Sequence, residues 1–374
     1  MHDLNDRLQA EFVALLGQRG VRHALCGIAE GDGSWRWLNA AGPATPNERL
    51  MTPQTPFFIA SISKLFIAAT ILRLHERGAL HIDEPMMEFL PDENVAGLHQ
   101  WNGTDYTPSI RVRQLLGHTS GLPDYLEERP RGGRPFIERI VAEGDRDWGI
   151  EEALDIVRSL RPHFPPQPVG AGKPRARYSD TNYRLLIAII ESVTAGSLAE
   201  AFDTFLFQPL GLTQTWLPGA DTAGHPEPAT VWFGDRALDI PLAMRAVGDL
   251  YSTADDLVTF MRSLVRGAVF ERPETLRMMR DERVRFGLPR DRAALRSPGW
   301  PIEYGLGMMR FALPRLFTGF RPLPALFGHS GSTGTWLFHC PELDLYFCGT
   351  VDQGTAGAVP YRLLPRLLRL VAHR

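Results

Sequence analysis

Lysine is almost missing from this chain. Of its 40 basic residues, 38 are arginines and only Lys64 and Lys173 are lysines. Arginine keeps its proton at any relevant pH, whereas a lysine that is buried or set beside other cations can lose it. Base chemistry by a basic aliphatic side chain is therefore confined to two positions. Cysteine is also scarce. Cys26, Cys340 and Cys348 are an odd count without metal-ligand spacing, which argues against a disulfide framework or a cysteine metal site and suits buried thiols in a reducing compartment. Apolar runs such as Leu185 to Ile190 are core-sized, far short of the roughly 18 residues that cross a bilayer. Neither sign of charge dominates. A net charge of −3 leaves no basic face for nucleic acid and no polybasic membrane signal, so neither partner is expected.

What is present fits a globular protein that can build a buried cleft, since 44% of the residues are hydrophobic and 22% charged. The length allows one large domain or two intertwined ones. Met1 to Gly20 mixes Asp3, Asp6, Arg7, Glu11 and Arg19 with apolar residues at helical spacing. It reads as an amphipathic helix without the apolar core of a secretion signal, and the expected location is cytoplasmic.

His23 to Ala29 and Ser34 to Ala40 read as a β-hairpin about Glu30-Gly31-Asp32-Gly33. After a loop from Gly42 to Pro56, an almost wholly apolar helix follows Ser61 and stops near Gly78. From His81 to about Val284 helical segments alternate with loops: Arg111 to Leu116, Ile150 to Leu160, Asn182 to Val193, Leu198 to Phe207 and Ala254 to Val265. Strand character returns in Tyr304 to Phe311, Thr335 to His339 and Leu345 to Val351, before a helix from Tyr361 to Val371. The expected fold is α+β: a mainly antiparallel sheet built from both termini and flanked by helices, with a helical insertion. Residues 1–80 and 290–374 would form the sheet-bearing domain and 81–289 the mainly helical one.

Ser61 and Lys64 stand three apart at a helix start, so their side chains share one face. There, backbone N–H groups can face a carbonyl oxygen, and a lysine of depressed pKa can take the serine proton. Alone, the pair also fits a capping serine and a snorkelling lysine. Two further elements follow in order. Tyr178-Ser179-Asp180 precedes an apolar helix, and its phenol could relay a proton beside a lysine; it could equally be a core tyrosine. Gly328-His329-Ser330-Gly331-Ser332-Thr333-Gly334 precedes a strand from Thr335 and suits close passage beside a substrate, or a tight β-turn.

The ordered segments Phe58 to Lys64, Leu115 to Pro123, Tyr178 to Tyr183, Gln208 to Leu212, Leu250 to Leu257 and Gly328 to Gly334 resemble the serine β-lactamase and D-alanyl-D-alanine carboxypeptidase superfamily. The likeness is to the branch holding class C β-lactamases, carboxylesterases, D-aminopeptidases and acyltransferases. It implies that Ser61 is acylated, that Lys64 and Tyr178 share the proton transfers, and that the N–H groups of Ser61 and Ser332 form an oxyanion hole. Ser330 and Gly331 would then line the substrate. His329 takes the place where β-lactamases usually carry a lysine, and Asp180 the place of an asparagine whose amide meets the substrate. A carboxylate cannot donate unless protonated, and a histidine is mostly neutral at pH 7. Both departures turn the expectation from β-lactamase toward esterase or amidase.

Rival constellations fail. Gly170-Ala171-Gly172-Lys173 is followed by Pro174 and lacks the spacing of a phosphate loop; His75-Glu76 has no second histidine four residues on; His118 and Ser120 suit a turn at a helix end. No metal and no cofactor is implied. The expected reaction is acyl transfer from a small carboxylic ester or amide to water through Ser61. Transfer to an alcohol or amine, and a non-turnover acyl-binding sensor, remain as alternatives, and the oligomeric state is open.

Overall fold

The computed structural model describes residues 2–168, 174–219, 224–289, 291–318, 320 and 322–372. Its largest element is one eight-stranded sheet. The strands are β1 (Ala24–Glu30), β2 (Arg36–Ala41), β3 (Val284–Arg285), β4 (Glu303–Tyr304), β5 (Met309–Phe311), β6 (Leu326–Gly331), β7 (Thr335–Cys340) and β8 (Leu345–Thr350). They lie in the order β2-β1-β8-β7-β6-β5-β4-β3, with every pair antiparallel. The two ends of the chain meet where β1 pairs with β8, Leu25 opposite Thr350.

Strand side chains alternate between faces, and here both faces are covered. Ala24, Cys26, Ile28, Trp336, Phe338 and Phe347 pack with α1 (His2–Leu16) and α6 (Val359–Val371). Leu25, Leu337, Tyr346 and Cys348 face the opposite side, which holds α2 (Ser63–Glu76) and α5 (Ala254–Val265). The three cysteines are buried, free thiols in these cores. Two further helices, α3 (Ile150–Ser159) and α4 (Asp180–Thr194), extend the second core away from the sheet. The α+β architecture expected from the sequence is present.

Helix α2 runs through the centre of this core, and its residues from Ser63 to Leu72 are all buried, as an all-round apolar helix must be. Phe66 stacks on Phe260 of α5, with ring centroids 3.8 Å apart and planes at 13°. Among the described residues no single helix is long and apolar enough to cross a membrane, and no group of three or more His, Cys, Asp or Glu side chains is placed to hold a metal ion.

Two segments differ from the sequence expectation. Tyr304 to Phe311 is not one strand but a hairpin of β4 and β5, because the backbone turns at Gly307 (φ 91°), where a Cβ would fall 2.2 Å from Ala68 Cβ of α2. Gly328 to Gly331 is not an approach to a strand but the end of β6 itself, paired with β7; only Ser332 to Gly334 forms the turn. Glycines carry no side-chain alternation, so the period-2 signal of β6 was hidden. The phosphate-loop lookalike Gly170 to Lys173 lies outside the described residues.

Because Phe66 is fully buried and shares its stack with Phe260, Phe66→Ala is expected to cost about 3–5 kcal/mol of stability. Equilibrium urea unfolding measures this, and a loss below about 1 kcal/mol would mean that the α2–α5 contact relaxes rather than leaving a cavity.

Candidate active site

Ser61 occupies the short 3-10 turn Ala60–Ile62 that leads into α2, half-buried and facing a cavity of about 890 Å³. The residue before it, Ala60, has φ 46°, a left-handed conformation that costs about 1–3 kcal/mol for a residue with a Cβ. One turn into α2, Lys64 Nζ lies 3.3 Å from Ser61 Oγ. The ammonium is buried between the rings of Tyr178 and Tyr183, 5.4 Å from each centroid, within cation–π range. At 2.6 Å it also meets Asp180 Oδ1, at the first residue of α4.

This ion pair overturns the expectation of a lysine with a depressed pKa. Burial pushes Lys64 down, but the acidic groups around it, Asp180 first, outweigh it and hold the group well above an ordinary lysine. At rest Lys64 is an ammonium. Tyr178 stands on the cavity wall with its hydroxyl buried and within hydrogen-bonding reach of Ser61 and Lys64. Burial pushes its pKa well above the ordinary tyrosine value, and the Lys64 charge offsets only part of that rise.

The opposite wall is the β6–β7 turn. Ser330, Gly331, Ser332 and Thr333 all line the cavity. A Cβ on Gly331 would lie 2.1 Å from Thr335 Oγ1 and 2.7 Å from Ala60 Cβ, so only glycine lets the strand come this close to the serine turn. Thr335 Oγ1 fixes the approach by donating to Ile59 O at 3.2 Å. Of the residues singled out from the sequence, Ser61, Lys64, Tyr178, Asp180, Ser330, Gly331 and Ser332 therefore converge on one place.

His329 does not join them. It is fully buried and lines no part of the cavity, because alternation along β6 turns it to the face opposite Ser330. Its Nδ1 lies 2.7 Å from Ser330 O, which can only accept, so Nδ1 carries the proton and Nε2 accepts from the Tyr304 hydroxyl at 3.0 Å. Tyr304 is in turn 3.2 Å from Tyr183 OH, which donates to Leu116 O. Burial and the nearby Lys64 push His329 down to about 3, so the position of the usual lysine holds a neutral ring and offers nothing to a substrate carboxylate. His118 and Ser120 are no catalytic pair either. His118 Nδ1 accepts from Ser179 N and Asn182 Nδ2, while Ser120 Oγ donates to Asn182 Oδ1, tying the loop after Leu116 to the start of α4.

Two cavity residues were not singled out from the sequence. Asp249 is buried and lines the cavity; burial raises its carboxyl to about 7 even though Lys64 and Ser63 pull it down. Glu127 also lines it and is raised to about 7 by burial and by Asp180. Both stand in loops, where no periodicity marks them; a carboxylate amid apolar neighbours, as in Val247-Gly248-Asp249-Leu250, was the available signal. The rest of the lining is chiefly apolar, including Leu126, Ile140, Trp148, Met244 and Val247 on one side and Trp300 and Phe311 on the other.

Comparison with known proteins agrees with this geometry. The family model described as Beta-lactamase matches residues 9–359. Esterase EstB of Burkholderia gladioli is 29% identical over 328 residues, covering 80% of this chain and 78% of EstB. The D-stereospecific amidohydrolase from a Streptomyces species superposes with a TM-score of 0.72 at 25% identity over 96% of both chains. The D-amino acid amidase of Ochrobactrum anthropi SV3 shares the fold, with a TM-score of 0.76 at 22% identity over 99% of both chains. A family match that runs from α1 to the start of α6 and takes in Ser61, Lys64, Tyr178 and the β6–β7 turn places this chain in the beta-lactamase family, as an enzyme of the serine-hydrolase type.

Proposed function

We propose that the protein hydrolyses a small carboxylic ester or amide through an ester on Ser61. One observation carries the reading: Ser61, its Oγ 3.3 Å from Lys64 Nζ, opens onto a cavity walled by Tyr178 and by the turn from Ser330 to Thr333. Ser61 Oγ attacks the acyl carbon, Lys64 and Tyr178 move the proton from the serine to the leaving group, and water then repeats the sequence on the ester. The N–H groups of Ser61 and Ser332 hold the oxyanion. An ester or amide donor accords with the likeness to EstB and to the Streptomyces amidohydrolase.

The lining supports a narrower substrate class. Its apolar side chains suit an acyl group with hydrocarbon bulk. Among the ionisable side chains lining the same space Asp249, Glu127 and Glu138 outnumber Arg296, while the Asp180 charge is matched by Lys64 and His329 is neutral, so the field at the acyl site favours a substrate bearing positive charge over one bearing a carboxylate.

Ser61→Ala is expected to abolish p-nitrophenol release from p-nitrophenyl butyrate, and intact-protein mass spectrometry should find the butyryl adduct on wild type only. Unchanged turnover in the variant would sink the assignment. For the charge preference, a p-nitrophenyl ester whose acyl chain ends in a trimethylammonium group is compared with its tert-butyl isostere. Asp249 and Glu127 gain negative charge as pH rises through about 7, so the preference in kcat/KM for the cationic ester should grow from about pH 6 to about pH 8. Asp249→Asn should flatten that rise; a preference independent of pH in the wild type would count against an acid-tuned cavity.

A further inference from the structure

The resting charge state of Lys64 poses a chemical problem. A base must lie within reach of the proton it takes and must have a free electron pair. Lys64 Nζ meets the first condition at 3.3 Å from Ser61 Oγ, but as the ammonium partner of Asp180 it has no free pair. It can take the serine proton only while giving one of its own away. The receiving atom must be close and basic, and Asp180 Oδ1 at 2.6 Å is the carboxylate oxygen in ion-pair contact with Nζ among the described residues.

We propose that Asp180 is the terminal proton acceptor of the acylation step, with Lys64 as the relay; this rests on the assignment of Ser61 as nucleophile. As the Ser61 Oγ–acyl carbon bond forms, the Oγ–H bond breaks and its proton passes to Nζ. One of the three Nζ protons passes to Asp180 Oδ1, and the carbonyl π pair moves to the oxyanion. When the oxyanion collapses, the bond to the leaving group breaks, and the proton returns from Asp180 through Nζ and Tyr178 to the departing alkoxide or amine. Lys64 is an ammonium and Asp180 a carboxylate again, so the step consumes no outside acid, base or oxidant. Water takes the place of Ser61 in the second half.

Acidic groups cluster around the Lys64–Asp180 contact. Asp180 opens α4 and faces Lys64 of α2, while its own N–H donates to Asp124 Oδ2 at 3.2 Å. Glu127 from the loop before it, Asp249 from the segment before Tyr251, and Tyr178 two residues upstream all sense its charge. Asp124 is itself held well above an ordinary carboxyl, first by burial and then by Asp180 and the two glutamates after it. Of these acids Asp249 and Glu127 are raised to about 7, so they carry only part of their charge at neutral pH.

The test is single-turnover acylation by p-nitrophenyl butyrate, followed as the p-nitrophenol burst across pH, in wild type, Asp180→Asn and Asp180→Glu. Asparagine keeps the shape but cannot take a proton. The expected acylation rate for Asp180→Asn at pH 7 is down about 100-fold, the scale of general-base catalysis, and rises tenfold per pH unit toward alkaline pH as solvent strips the ammonium. Asp180→Glu should regain at least a tenth of the wild-type rate and its neutral profile. A purely structural counter-ion predicts the opposite: Asp180→Asn would free a buried amine and acylate as fast as wild type or faster, which would overturn the proposal. If Asp180→Asn is misfolded by near-UV circular dichroism, the decision falls to Asp180→Glu, whose loss of the neutral profile would overturn it. A wild type that forms no Ser61 adduct would instead mean that the nucleophile assignment had failed.

Discussion

The buried contact between Lys64 and Asp180 is the interaction around which the site is built. It joins α2, at the heart of the second core, to the first residue of α4. Each charge is costly to bury alone, and removing one partner of such a pair typically costs about 3–5 kcal/mol. The pair therefore fixes the spacing of the two helix starts. It also sets the charge of its neighbours: His118 and His329, pushed down first by burial, are pushed down further by the Lys64 cation. On the acid side Asp249 is raised by burial, held back by Lys64 and pushed again by Asp180.

A second constraint is steric and brings the far end of the chain to Ser61. The serine turn and the end of β6 touch at Ala60 and Gly331, and the contact tolerates no Cβ on the strand. Ala60 holds its left-handed backbone because Ile59 is gripped from both sides: its N–H donates to Leu250 O and its carbonyl accepts from Thr335 Oγ1. The carbonyl clamp comes from β7 and the amide clamp from the segment beside Asp249. The local strain at Ser61 is thus supported by two parts of the chain distant in sequence, as strained functional residues generally require.

Much of this was legible beforehand. Long periodic segments announced themselves: α2 by its unbroken apolar run, α5 and α6 by helical spacing, β7 and β8 by apolar content. The ordered motifs named the residues that converge on the cavity. What escaped was set by tertiary contact. The side of β6 on which His329 falls depends on strand parity, which Gly328 and Gly331 leave unmarked. The charge of Lys64 depends on Asp180, about 116 positions later in the chain, and a lysine seen alone at a helix start suggests a depressed pKa where the fold supplies a carboxylate instead. Asp249 and Glu127 gain their meaning only from burial against the same cavity.

The two departures noticed in the sequence, Asp180 and His329, compensate each other once their contacts are known. A cation in place of His329 would have to be desolvated in the ring cluster of Tyr178 and Tyr304, and would lose the Nδ1 and Nε2 hydrogen bonds that place the imidazole. It would also meet the repulsion of the Lys64 cation, which already pushes His329 down, and a neutral imidazole avoids that repulsion. An asparagine at 180 would leave the Lys64 ammonium buried without its carboxylate partner, the costly arrangement of a lone buried charge. A site with both family residues and this site with neither reach electrical balance by different routes. The first would keep a fixed cation at the strand; the second pairs its lysine internally and leaves Asp249 and Glu127 on the cavity wall.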